Sequence, residues 1–223
     1  MKTPEEYFQE KVELPGAAVH GGSFTDAEKA FIEKYLGLEN KEALARIPRH
    51  DPRGEDAVAG FGPRGDSGGG EDDELEARLR TDPELQLVSF MVGEQEYALP
   101  IKAIQEVIKY VPPTRLPKAP LYVEGVINLR GRVTPLVSMR SIMATGDVQD
   151  DRFIIVCRFK GLQIGLMVTA IVTMYRALQE QIEWSIEASV GINASFLSGL
   201  MKSGEKLVNI ISVERLVTSI LSR

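Results

Sequence analysis

The run Gly-Val-Ile-Asn-Leu-Arg-Gly-Arg-Val-Thr-Pro-Leu-Val-Ser-Met-Arg, residues 125 to 140, restricts the fold more than any other stretch. Two apolar, β-branched segments flank Arg130-Gly131-Arg132. Gly131 can take a positive φ, so the centre reads as a hairpin turn. Partial alternation sets Val126 and Leu129 toward a core, with Asn128 and Arg130 facing away. Pro135 lacks a backbone donor, which predicts an edge strand or a bulge for the second arm. An asparagine and two arginines on a rigid hairpin make a cationic, hydrogen-bonding surface. Such a surface suits protein recognition better than bond-making chemistry.

The surrounding pattern occurs twice. Leu87 to Val92 and Gln95 to Leu99 read as strands around a Gly93-Glu94 turn. Pro100 then opens a short helix or kinked strand with Ile101, Ile104 and Val107 three apart. Pro112, Pro113 and Pro117 mark a loop, Pro120 to Glu124 a helical turn before the central hairpin, and Met139 to Ala144 a short helix. The second copy starts with Phe153 to Arg158 and Leu162 to Met167 around Lys160-Gly161. Val168, Ile171 and Met174 are again three apart. A hairpin, Leu197 to Met201 and Leu207 to Ile211, turns at Ser203-Gly204-Glu205, and a helix over 213–221 follows with Val213, Leu216, Val217 and Ile220 apolar. Short strands at this spacing predict a mainly β chain with two small barrels. A barrel of about 60 residues is marginal alone, so the two should share a core.

Charge divides the chain. Residues 1 to 84 carry 11 basic and 20 acidic residues, and residues 85 to 223 carry 15 and 12. Repeated glycines and prolines interrupt the acidic part, including Gly65 to Gly70, which reads as a linker. Residues 1 to 84 are therefore expected to be a largely disordered extension, and residues 85 to 223 the folded domain. Two transient helices are expected in the extension. One lies near 25–36, opened by the capping box Thr25-Asp-Ala-Glu28; the other spans 71–80, with acids first and arginines last. Phe31, Tyr35 and Leu36 could also form a short docking motif.

Catalytic groups are lacking. His20 and His50 both lie in the extension, and Cys157, in mid-strand, has no histidine in the folded part to activate it. Asp72-Asp73 and Asp150-Asp151 are neighbours in loops, which cannot converge on one metal ion, so neither a metal nor a cofactor is expected. Gly199 to Lys206 departs from the phosphate-loop spacing and falls on a hairpin. Trp184 and Tyr175 read as packing residues, and Glu180, Glu183 and Glu187 as one solvated helical face. The basic surface lacks the dense Lys/Arg run of a nucleic-acid binder and favours an acidic protein partner. A single cysteine fits a reducing compartment, and no apolar stretch approaches membrane-spanning length. A cytoplasmic protein without direct membrane insertion is expected. Glu106 and Arg130 stand out, because both interrupt apolar, strand-like segments. We expect them to lie close together on one binding face, where their pairing would add only about 0 to 1 kcal/mol to folding.

Leu87-Val-Ser-Phe, Glu96-Tyr97, Ile104-Gln105-Glu106-Val107, Leu116-Pro117, Pro120, Val123-Glu-Gly-Val-Ile-Asn-Leu-Arg-Gly131 and Pro135-Leu-Val together resemble the CheW family of bacterial chemotaxis coupling proteins. The resemblance covers residues 85 to 221. It implies two fused five-stranded SH3-like barrels. It also implies a non-catalytic adaptor, in receptor arrays at the inner membrane, between the cytoplasmic tip of chemoreceptors and the regulatory domain of the histidine kinase CheA. By resemblance, the receptor-binding and structural positions fall on Ile104, Glu106, Gly125 and Arg130. Asn128, Leu129 and Gly131 form the hairpin core and turn. Receptor helices would enter a groove between the barrels. A diverged adaptor for a non-motility kinase system has the same fold, whereas a small-ligand-binding barrel would need a polar pocket. The chain departs from the family with Ser138, Thr169 and Ser212 where aspartate is frequent. Its long acidic extension is also unusual, and could screen the basic face until a partner displaces it.

Overall fold

The computed structural model describes residues 49–50, 57–60, 75–117, 119–145, 150–159, 161–184 and 196–222. The capping box at 25–28, the Phe31–Leu36 motif, His20, Asp72-Asp73, the 65–70 linker and Glu187 lie outside them. Two β-sheets account for most of the described chain. The first contains β5 (Ile104–Lys109), β6 (Val123–Leu129), β7 (Arg132–Ser138), β8 (Phe153–Phe159) and β9 (Leu162–Val168) in the order β6-β7-β9-β8-β5. The second contains β3 (Glu84–Val92), β4 (Gln95–Pro100), β10 (Ala170–Leu178), β12 (Leu197–Ser203) and β13 (Lys206–Ile211) in the order β10-β3-β4-β13-β12, with β11 (Ile182–Glu183) beside β12. Two strands of the extension border the first sheet, β1 (Arg49–His50) on β6 and β2 (Ala57–Gly60) on β5. Among the described residues, three helices complete the fold: α1 (Leu75–Thr81), α2 (Met139–Met143) and α3 (Val213–Ser222).

The two halves of the sequence exchange their leading hairpins. The β3–β4 hairpin of the first half joins β13 of the second through a parallel pairing, Asn209↔Tyr97. The β8–β9 hairpin of the second half joins β7 of the first the same way, Leu136↔Gly165. Each sheet is thus a composite of both repeats, and the chain is mainly β with two SH3-like barrels. The exchange also explains why these hairpins are apolar almost without alternation. A strand between two cores buries both faces. Ile154 and Val156 face the interior of the first barrel, while Ile155 and Cys157 face the core between the barrels.

Three apolar clusters result. The first barrel is filled by Ile108, Ile127, Leu129, Leu136, Ile154, Val156 and Met167, drawn from all five of its strands. The second is filled by Leu85, Leu87, Ala98, Ala177, Met201, Val208 and Ile210, again from five strands. Between them, Phe90, Leu99, Ile104, Val126, Met139, Ile155, Ile164, Leu166, Ile211 and Leu216 form the shared core that the small size of each barrel requires.

Several local expectations change. Val126 and Leu129 do not share a face: Val126 belongs to the inter-barrel core and Leu129 to the barrel interior. They are three residues apart on a strand of period two, so one core could not take both. Pro135 is not on an edge strand, since β7 lies between β6 and β9. The β7–β9 ladder begins only at Leu136, so the missing donor is harmless, and beside it Gln163 Nε2 donates to Thr134 Oγ1 at 2.7 Å. The irregularity lies across the hairpin, between Val123 and Gly125. Ile101, Ile104 and Val107 mark a 3-10 turn over Ile101–Ala103 running into β5, but Ile171 and Met174 belong to a single long strand with a register break. Glu180 and Glu183 are exposed on a 3-10 turn and a short strand, not on one helix.

Packing against the second barrel reaches back before Leu85. Leu79 of α1 is buried in the second barrel's cluster, and Gln179 Nε2 donates to the Leu79 and Asp82 carbonyls at 2.7 and 2.6 Å. Leu79, one apolar side chain in a helix of mostly charged residues, is what seats α1 on the barrel. The Arg80 guanidinium lies 5.8 Å from the Trp184 ring centre, so the indole sits between helix and barrel, its N–H donated to Gln179 at 2.8 Å.

Candidate protein-interaction site

Strands β5 and β6 are the two ends of the five-stranded order in the first sheet, and side chains from β5 and from the turn after β6 bridge them. Glu106 projects from the middle of β5. Arg130 sits in the turn after β6, where Arg130 and Gly131 have φ of 52° and 83°. Two successive positive φ values define the tight hairpin turn whose twist suits adjoining strands. An arginine in that conformation is sterically strained. From this position Arg130 Nη2 donates to Glu106 Oε2 at 2.8 Å, a salt bridge across the barrel's seam. The Glu106 side chain is 12% exposed and that of Arg130 38%. The pair therefore fixes the carboxylate on the inner side and leaves guanidinium surface for a partner.

The other sequence-derived positions divide by role. Gly125 has φ of 150°, and a Cβ there would fall 2.3 Å from the Thr114 carbonyl oxygen. This close approach lets Thr114 and Val126 exchange two backbone hydrogen bonds of 2.9 Å, tying the proline loop to β6. Gly125 is architectural. Ile104 and Leu129 are buried, at 2% and 0%, and offer no surface. Asn128 is half-buried beside Arg130, and its side-chain oxygen has no hydrogen-bond partner among the described residues. That oxygen is itself buried, so the presented group is the Arg130 guanidinium, with the Glu106 carboxylate behind it.

Ile104 and Val126 are sealed in the core between the barrels, and partly buried side chains such as Ile101 and Ile171 pack against that core. Exposed large apolar side chains lie elsewhere, among them Val172 and Met174 on β10 and Leu207 on β13.

The three positions that depart from family aspartates have structural work. Ser138 Oγ accepts from the Ser141 amide at 3.3 Å and Ser212 Oγ from the Arg215 amide at 3.1 Å, capping the equivalent helices α2 and α3. Serine caps as well as aspartate does, without the charge. Thr169 Oγ1 accepts from the Gly93 amide at 3.4 Å, linking the β3–β4 turn to the start of β10.

Sequence reasoning missed Asp151, read as a loop acid. Its carboxylate is 1% exposed and accepts from Arg140 Nη2 at 3.2 Å. Burial pushes its carboxyl above the ordinary range, with the Arg140 charge opposing. Only the long-range approach of α2 to the start of β8 reveals the partner. Cys157 is wholly buried, and burial pushes its thiol up to about 12, where the thiolate nucleophile is absent at neutral pH. Among the described residues, no cluster of three or more His, Cys, Asp or Glu could hold a metal ion, and no helix is long and apolar enough to cross a membrane.

The model of the CheW-like domain matches residues 86–221. The chain belongs to the CheW-like domain family. Among its curated relatives, the chemotaxis protein CheW of Helicobacter pylori is 34% identical over 136 residues, covering 60% of this chain and 81% of the relative. That of Thermotoga maritima is 30% identical over 139 residues, covering 61% and 90%. Among solved structures, the scaffolding protein TtCheW from Thermoanaerobacter tengcongensis superposes with a TM-score of 0.55 at 30% identity, covering 58% of this chain and 89% of that one. The CheW-like fold thus accounts for the two barrels, and the strands β1 and β2 precede the matched region. Membership makes this chain a chemotaxis adaptor of CheW type, a non-catalytic scaffold.

Proposed function

We propose that this chain couples chemoreceptors to the histidine kinase CheA in chemotaxis signal transduction. It binds the receptor's cytoplasmic tip through the seam of the first barrel and the regulatory domain of the kinase through another face. The observation that carries the receptor site is the Glu106–Arg130 salt bridge of 2.8 Å, held at the meeting of β5 and β6 by a strained turn. An exposed ion pair contributes too little to folding to account for that strain, whereas a fixed guanidinium gives a helical partner an oriented donor. The protein would act in the cytoplasm, at receptor arrays on the inner membrane, without inserting into it and without nucleic acid.

The test is calorimetric titration of the full chain, and of its Arg130→Ala variant, with a soluble cytoplasmic fragment of a chemoreceptor and with the kinase regulatory domain. The proposal expects both partners to bind the unaltered chain, and the variant to lose receptor affinity while keeping kinase affinity. Equal loss for both partners, or for neither, contradicts the assignment of the receptor to this face.

A further inference from the structure

Strands β1 and β2 lie outside the family fold, yet both pair with the strands that carry the proposed site. β1 runs parallel to β6 with Arg49 opposite Asn128 and His50 opposite Leu129, one residue short of Arg130. β2 runs antiparallel to β5 and ends with Gly60 opposite Glu106 itself. The extension thus occupies both free edges of the barrel beside the salt bridge.

The second barrel supplies an internal comparison. By order in the sheets, β10 corresponds to β5, and β10 has no strand on its outer side among the described residues. A barrel of this type therefore does not need a sixth strand at the β5 edge, whereas β12, the counterpart of β6, carries β11 as β6 carries β1. The pairings of β1 and β2 are also short, two and three partner pairs, with a register break in the second. A brief, irregular ladder on a strand edge is readily displaced, and main-chain pairing of this kind is also how sheet edges accept peptides.

We propose that β1 and β2 are an intramolecular mask: they cover the edges flanking Glu106 and Arg130, and must leave before a receptor docks there. The inference rests on the receptor reading above and adds its regulation. Release would convert a closed adaptor to a competent one without any change in the barrels.

The experiment uses the full chain and a Val58→Pro/Ala59→Pro variant, which cannot keep β2 as a regular paired strand. Two measurements are made on each: hydrogen exchange of the β5 amides, and affinity for a soluble chemoreceptor cytoplasmic fragment. The mask predicts faster exchange along β5 in the variant and an affinity about tenfold tighter, as removal of a competing closed state requires. Unchanged exchange would show that β2 does not cover β5, and overturn it. Faster exchange with unchanged affinity would show cover without competition, and also overturn it. Failure of both proteins to bind the fragment would instead overturn the receptor reading, and the mask with it.

Discussion

Replacing Arg130 by asparagine separates recognition from folding. The substitution removes a salt bridge whose side chains are 38% and 12% exposed. A pair with its cation this exposed contributes about 0.2 to 1 kcal/mol. Glu106 then loses its partner in a largely buried position, which costs about 1 kcal/mol more. Against this, Arg130 has φ of 52°, and an ordinary L-residue there is strained by about 1 to 2 kcal/mol. Asparagine relieves much of that strain, being favoured in this turn type. The terms nearly cancel. Stability should change by no more than about 1 kcal/mol, or less than about 4 °C in Tm for a domain of this size. Receptor affinity should fall at least about tenfold, because an oriented charge at an interface centre is lost. Thermal unfolding followed by circular dichroism, with titration of a receptor fragment, measures both. A Tm lower by about 10 °C or more would show that the arginine holds the barrel shut. Undiminished affinity with an intact fold would show that recognition lies elsewhere.

Gly125→Ala should destabilise by about 2 to 4 kcal/mol, because its methyl group would meet the Thr114 backbone and not a side chain able to move; urea unfolding measures this. Ser212→Ala should cost about 1 kcal/mol by loss of the α3 cap, and Ser212→Asp should restore it. Cys157 should resist a thiol reagent at pH 8 in the folded protein and react at once in denaturant, since its thiol is buried and pushed up to about 12. Asp151 titrates above its unfolded value, so the folded state holds this proton more tightly, and its contribution to stability falls as pH rises from about 4 through the raised pKa. Asp151→Asn removes that dependence, and the stability of the unaltered chain relative to the variant should decline as pH rises above about 4 in urea titrations.

Local chemistry was readable and long-range chemistry was not. The Arg130-Gly131 turn, the helices capped by Ser138 and Ser212 and the two glycine hairpins depend on neighbouring residues, and each lies close to where the sequence puts it. The proximity of Glu106 and Arg130 was readable for another reason: two charges that interrupt apolar strands need an outlet. The hairpin exchange was not, because the parallel pairings β7–β9 and β4–β13 join residues far apart in sequence. Its trace was present in the unbroken apolar run Ile154 to Cys157, which alternation cannot explain. Met174 followed a spacing that fits helix and strand equally, and pairing with β3 decided it. Whether β1 and β2 would pair could not be seen in a segment dominated by glycine, proline and acidic residues.

The central claim is that the β5–β6 seam of the first barrel receives another protein's helices. Amide chemical shifts of the isotope-labelled full chain, recorded while a chemoreceptor cytoplasmic fragment is added, test it most directly. The account predicts the largest changes at Gln105, Glu106, Asn128 and Arg130, with shifts spreading to Gly60 as β2 is displaced. Changes confined to the second barrel, or none at a saturating concentration of the fragment, would contradict it.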